Sequence, residues 1–373
     1  MIDTIKISFP ASELEYRPGV YRSSWQLQAT RPGFEKYVRN ATKTLKDTGK
    51  TYPKLTGTTR KYGSKTQKMV DLEVSLPKLL LGNNVEELGD ADYGRLIQTL
   101  RSRLYEMGIK VEEETLHRAE VRMVHFGKNI VLDKGITSRY VIRELQRMHI
   151  PKYFDLTRAK FTNDGEILYA YCKNHSFVFY DKVADLKKGS RAVDRDQSVG
   201  QISLFDSLDN SLEILRFEVR LNDKRKMARV LGDVGLQVGR VNMKDIFSHR
   251  LAMDTLQSYY KRFVTAPNRL LIANQLPTEK LLEHIYTERP TARMTTVLRL
   301  FGLLVLAIDG PGMRYVRHQL ESRGSSRNWQ NQWHEIKQLA DTLPQQTLKD
   351  WHRCIINQLS NYQPITQAHY EQQ

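Results

Sequence analysis

The chain is short of cysteine, of long apolar runs and of acid, and each shortage removes a class of protein. Its 373 residues hold two cysteines, Cys172 and Cys354. That is neither a disulfide framework nor the spacing of a zinc site. The longest apolar run, Leu303 to Ile308, is far below the roughly 20 residues a membrane span needs. The opening "MIDTIKISFP" alternates like a strand and lacks the apolar core of a signal peptide. Together these absences predict a cytoplasmic protein with no membrane contact. The phosphate loop "GxxxxGK[ST]" is missing as well, so no nucleotide cofactor is expected and helicase work would fall to a partner. No fixed-period repeat or long low-complexity segment occurs.

What is present is enough apolar material for a core, 40% of residues, and a formal net charge of +16. Such an excess suits a partner rich in phosphate, because each neutralised phosphate releases a counterion. A basic protein with no such partner is the plain alternative. The charge concentrates between residues 39 and 68, where Arg39, Lys54, Arg60, Lys61, Lys65 and other bases face a single acid, Asp47. Threonines, Tyr52, Tyr62 and the glycines of "TGTTRKYGSK" predict a basic hairpin or arm beside a sheet. Lys61 and Lys65 would meet DNA there; a solvated loop is the other reading.

Three segments far apart share one pattern. In "KMVDLEVSL", Val70, Leu72 and Val74 alternate with Asp71 and Glu73. In "HRAEVRM", Ala119, Val121 and Met123 oppose Arg118, Glu120 and Arg122. In "EILRFEVRL", Leu215, Phe217, Val219 and Leu221 oppose Arg216, Glu218 and Arg220. Each reads as a strand with an apolar face and a charged one. Residues 167 to 182 read as a hairpin turning at Lys173-Asn174. Its second strand, "HSFVFYDK", sends Phe177 and Phe179 to the core and leaves Tyr180 and Lys182 on the charged side. Helices are expected from Asp90 to Met107 and from a cap at Ser138 to about His149. A polar connection from about residue 187 to 210 follows the hairpin, and the tail after Tyr362 is polar. Helical spacing takes over after Leu231. The predicted fold is therefore α+β: an antiparallel sheet with helices on one face in residues 1–240, then a mostly helical part in 241–373.

If these strands lie in one sheet, their charged faces form one surface. Carboxylates gathered there repel one another unless a cation or the arginines neutralise them. Oxygen ligands without cysteine suit a hard divalent ion, Mg²⁺ or Mn²⁺, and arginine forks suit phosphate. A tyrosine hydroxyl such as that of Tyr180 can attack a phosphodiester, with a lysine such as Lys182 or a metal holding the phenolate and neutralising the phosphorane. Tyr169, Tyr171, Tyr259 and Tyr260 compete for that role. For any single strand, a half-solvated sheet face is the usual explanation of such charges and the favoured one.

The segments "MIDTIKI", "DLEVSLPKLLLGNN", "HRAEVRM", "SFVFYDK" and "LRFEVRL" occur in an order that resembles filamentous-phage replication initiators of the gene II / gene X type. The last two also resemble the related plasmid rolling-circle initiators. The resemblance covers most of residues 1 to 225. It implies a site-specific nickase that cuts one strand at a replication origin, keeps the 5′ end on a tyrosine, frees a 3′-OH and later rejoins the displaced strand. Carried over, Tyr180 would be the nucleophile, Glu218 and Glu120 metal ligands with Glu73 a weaker third, and Arg216, Arg118 and Lys182 contacts of the scissile phosphate. Arg122 and Arg220 complete the basic set. Implied partners are origin DNA, double- and single-stranded, with a host helicase and polymerase. The chain departs from many such enzymes in having no pair of histidines separated by one apolar residue; His117 stands beside Arg118 instead. In the C-terminal part, a helix capped by Ser325 or Ser326 would pack Trp329, Trp333 and Ile336, leaving Arg327, Asn328, Gln330, Asn331 and Gln332 to read base edges. A bundle that only buries its own apolar faces is the alternative. From a different class, a non-catalytic DNA-binding regulator would use the same basic surface.

Overall fold

The structure, a computed structural model, describes residues 1–17, 25–151, 153–154, 167–187, 212–274, 277–343 and 347–366. Alternation in the sequence becomes strands that pair into one antiparallel sheet. These are β1 (Ile2–Pro10), β3 (Gln26–Arg31), β4 (Phe34–Arg39), β5 (Lys54–Tyr62), β6 (Lys65–Ser75), β8 (Glu120–Val131), β9 (Ile167–Tyr171), β10 (His175–Asp181) and β11 (Ile214–Leu221). Their order across the sheet is β3-β4-β5-β6-β1-β8-β11-β10-β9. Two short strands, β2 (Glu15–Tyr16) and β7 (Ile109–Lys110), pair separately.

The central strand β1 sets the two faces. Ile5, Ile7 and Phe9 are buried on one side, while Thr4, Lys6 and Ser8 sit opposite Ser75, Glu73 and Asp71 of β6 on the other. The apolar face is covered by helices. His249–Tyr260 and Asp350–Ser360 lie against β8, and Ser138–Arg147 lies against β9 and β10. The Tyr260 ring meets Phe179 and Phe217 edge-on, at 6.2 and 6.0 Å between centroids. The architecture is α+β, as the alternation and helical spacing predict. Across the boundary expected near residue 240 the core is continuous: Met227, Leu231, Val241, Met243 and Leu256 belong to one apolar cluster.

Some elements differ from their sequence reading, each for a local reason. Arg118 ends a helix, Glu113–Arg118, instead of starting the strand. Acids in that helix's first turn and His117 and Arg118 in its last complement the helix dipole. Strand β8 begins at Glu120 and runs on to Val131 through Gly127-Lys128-Asn129, a polar stretch that hides its strand character. Lys182 opens a helix, Lys182–Lys187, because Asp181 Oδ1 accepts the Ala184 amide as a capping aspartate does. The cap before Ser138–Arg147 is Thr137, whose side chain accepts the Tyr140 amide. The expected connection after residue 187 and the tail beyond residue 366 lie outside the described residues.

Candidate active site

Pairing of β10, β11 and β8 brings a buried polar cluster together on the face away from the helices. Tyr180 stands opposite Arg216, and Val178 opposite Glu218. On the other side Arg216 faces Asn129 and Glu218 faces Gly127. The Tyr180 hydroxyl donates to Glu218 Oε1 at 2.8 Å. Arg216 Nε donates to the same oxygen at 3.1 Å, and its Nη1 donates to Asn129 Oδ1 at 2.9 Å. Its Nη2 lies 2.9 Å from Asp3 Oδ1. Arg220 closes on the other carboxylate oxygen, Oε2, through Nε at 2.9 Å and Nη2 at 2.7 Å. Two carboxylates, Asp3 and Glu218, thus stand against two guanidinium groups, which is how ionised groups survive burial.

A glycine makes the arrangement possible. A Cβ on residue 127 would sit 2.5 Å from Arg216 Nη2 and 2.9 Å from its Cζ. The guanidinium therefore lies directly over the β8 backbone, where only Gly127 leaves room. Lys182 reaches the cluster from the following helix. It is fully buried, its Nζ lies 5.7 Å from the centre of the Tyr180 ring, and that Nζ has no hydrogen-bond partner among the described residues.

The electrostatics follow from this packing. Burial alone would raise the Glu218 pKa, but Arg220 and Arg216 overcome it and hold the carboxyl well below its usual range. Burial, reinforced by Glu218, pushes the Tyr180 phenol well above its ordinary value. Burial and the neighbouring Arg216 push Lys182 down to about 8. At neutral pH the resting cluster is a protonated tyrosine donating to an ionised glutamate, beside an ammonium with a weakened hold on its proton.

The other expected site residues are elsewhere. Glu120 is paired with Lys224 and lies 3.7 Å from Arg122 Nε and 3.9 Å from Arg240 Nε. From Asn129, beside Arg216, nine residues of β8 lead to Glu120, roughly 30 Å of extended chain. Glu73 pairs with Lys6 at 2.6 Å. Arg118 is exposed and reaches Glu13 at 3.2 Å, and His117 Nδ1 is 2.7 Å from the Tyr93 hydroxyl. Glu73, Glu120 and Glu218 therefore do not converge, and each already faces a cation. As a set they do not fit one divalent ion, and among the described residues no three His, Cys, Asp or Glu side chains gather as ligands.

Of the competing tyrosines, Tyr259 and Tyr260 are tied to His175 and His352 at 2.9 and 2.7 Å, in the helix that covers the apolar face. Tyr169 is different: it stands opposite Val178 on the polar face, is half-buried, and carries the Arg220 guanidinium 5.8 Å from its ring centre. Asp3, Gly127 and Asn129 were not among the expected site residues. Gly127 had a signal, since a glycine inside a strand often marks a close approach; Asp3 and Asn129 had none beyond being polar.

The basic arm is the β5–β6 hairpin. It turns at Gly63-Ser64, with Gly63 at φ 58°, a left-handed angle that suits a two-residue hairpin loop. Lys61 and Lys65 are exposed beside that turn. In the C-terminal part, Ser325 caps helix Ser326–Thr342 and Trp329 and Ile336 are buried. Arg327, Asn328, Gln330 and Asn331 are exposed, whereas Gln332 is bonded to Arg299. No helix among the described residues is long and apolar enough to cross a membrane. Comparisons with protein-family models, with curated proteins and with solved structures find no match.

Proposed function

We propose that this chain is a rolling-circle replication initiator, a strand-specific DNA nickase of the filamentous-phage gene II / gene X kind. The observation that carries the reading is the Tyr180–Glu218 hydrogen bond, set between Arg216, Arg220 and the ammonium of Lys182, which has no hydrogen-bond partner among the described residues. The motif order along the chain and the charge of +16 support it. In the reaction, Tyr180 Oη bonds to the phosphorus of the scissile phosphodiester and its proton is lost. The P–O3′ bond breaks, the 3′ oxygen takes up a proton, and the 5′ phosphate stays on the tyrosine. Glu218, kept ionised by its arginines, holds the hydroxyl in one orientation. The Lys182 ammonium neutralises charge on the phosphoryl oxygens as the bond forms. The free 3′-OH primes a host polymerase, a host helicase unwinds the duplex, and the reverse reaction closes the displaced strand.

A second reading, a DNA-binding regulator without catalysis, is favoured by one feature: Tyr180 is only 9% exposed, so a scissile phosphate must open its way to the hydroxyl. One assay separates them. Supercoiled DNA carrying the replicon's origin is incubated with Mg²⁺ or Mn²⁺, and nicked circles bearing covalent protein are scored. The nickase reading expects adducts from the wild type and none from Tyr180→Phe. Adducts that persist in Tyr180→Phe and vanish in Tyr169→Phe would move the nucleophile to Tyr169. Tight binding with no nick in either metal supports the regulator.

A further inference from the structure

Two adjoining clefts open on the polar face of the sheet, well away from Tyr180. The larger, about 530 Å³, lies between β1, β6, the start of β8 and helix Glu113–Arg118, and includes Ser8, Gln67, Arg118, Arg122, Lys224 and Arg240 in its walls. The smaller, about 440 Å³, shares Arg122 and Lys224 and adds Lys6 and Arg225. We infer that the two clefts form one channel that holds the phosphate backbone of DNA at a distance from the cleavage site. This rests on the DNA-acting reading above and gives it a second point of contact.

Three independent features point to an anion here. The cations Lys6, Arg118, Arg122, Lys224, Arg225 and Arg240 outnumber the carboxylates Glu13, Glu120 and Asp223 that line the same walls. Asp223 is occupied in capping the next helix, its Oδ1 accepting the Lys226 amide at 2.9 Å. That helix, Lys224–Asp233, carries Lys224, Arg225 and Lys226 in its first turn and no acid. Bases at a helix N-terminus oppose the helix dipole; Asp223 caps this one and Glu120 pairs with Lys224, which still leaves the end with more positive than negative charge and favours an anion from outside. Finally, Ser8 lines the larger cleft, is 2% exposed, and its hydroxyl has no hydrogen-bond partner among the described residues, while Arg122 Nε makes only a long ion pair, 3.7 Å, with Glu120 and no hydrogen bond among those residues. A buried donor left unpaired is unfavourable, and a phosphate oxygen would satisfy both.

The separation has a length. From His125, opposite Arg220 of the cluster, five residues of β8 lead to Glu120, roughly 17 Å, or about five phosphates along one strand. The channel therefore sets position and grip, not chemistry.

The test measures binding in a Tyr180→Phe background, so that cleavage plays no part. A fluorescein-labelled duplex containing the origin is titrated by anisotropy at several salt concentrations. Arg122→Gln, Lys224→Gln and Arg240→Gln are each expected to weaken binding. Each should also lower the slope of log K against log salt by about 1, the share of one phosphate contact. Arg240 is 75% exposed, so its variant cannot be dismissed as misfolded. Arg250→Gln, on an exposed helix surface, is the control expected to bind like the parent. If the parent binds and all three channel variants match it in affinity and slope, the channel is wrong while the DNA reading stands. If the parent itself shows no salt-dependent binding, the DNA reading fails and takes the channel with it.

Discussion

Lys182 shows how a single buried charge ties stability to chemistry. A fully buried ammonium with no hydrogen-bond partner among the described residues destabilises the fold for as long as it is charged. Its pKa falls from 10.5 to about 8, which amounts to about 3 kcal/mol on the linkage scale. The sign follows from proton counts. Between pH 8 and 10.5 the unfolded chain holds more protons on this lysine than the native one, so its penalty is full below pH 8 and fades as pH rises to about 10.5. Lys182→Met should therefore raise the urea midpoint at pH 7, and its advantage over the wild type should shrink between pH 8 and 10.5. Nicking should be lost in the same variant. A midpoint at pH 7 equal to or below that of the wild type would show that the ammonium is compensated. A stabilised variant without activity is the pattern expected of a group kept for the substrate's charge rather than for the fold.

At the scale of elements, alternation carried most of the information. The strands holding Asp71, Glu120 and Glu218 were legible because apolar and charged residues repeat with a period of two, and the sheet does place them on one face. How far along that face each one sits was not legible. Register depends on pairing partners, and the same alternation is compatible with Glu120 beside Glu218 or far from it. Strand pairing puts Gly127 beside Glu218 instead. Asp3 entered the cluster for a similar reason, since β1 lies next to β8 only in three dimensions. The arm was easier to read, because a hairpin is local. Lys61 and Lys65 flank its turn with no carboxylate within ion-pair distance among the described residues. Exchanging both for glutamine should lower the salt slope of DNA binding by about 2 and move stability by no more than about 0.5 kcal/mol, as is usual for exposed sites. An unchanged slope would return the arm to the status of a solvated hairpin.

For the whole molecule, the question is whether the sheet can stand without the helices that follow it. Helix His249–Tyr260 buries Leu251, Ala252, Leu256, Tyr259 and Tyr260. Through them it covers the stacked pair Phe179–Phe217, whose ring centres are 4.4 Å apart. Just beyond it, Phe263 stacks on Phe177 at 5.6 Å. Helix Asp350–Ser360 adds Trp351, Ile355 and Leu359, and Gln358 bonds the β8 backbone at Val131. Each large apolar side chain returned to water forfeits about 1.5–3 kcal/mol, and a domain has only about 5–15 kcal/mol in total. Losing the cover from three phenylalanines alone forfeits about 4.5–9 kcal/mol, most or all of the stability of a marginal domain. A chain ending at residue 240 is therefore expected to aggregate or to bind a hydrophobic dye without a cooperative thermal transition, even though it keeps Tyr180, Glu218 and every strand of the sheet. A soluble 1–240 fragment with a sharp transition would show instead that the sheet has enough core of its own. The outcome bears on function as well. If the sheet folds only under its C-terminal helices, the strands that hold Tyr180 and the helix whose surface carries Arg327 and Asn328 are parts of one folding unit.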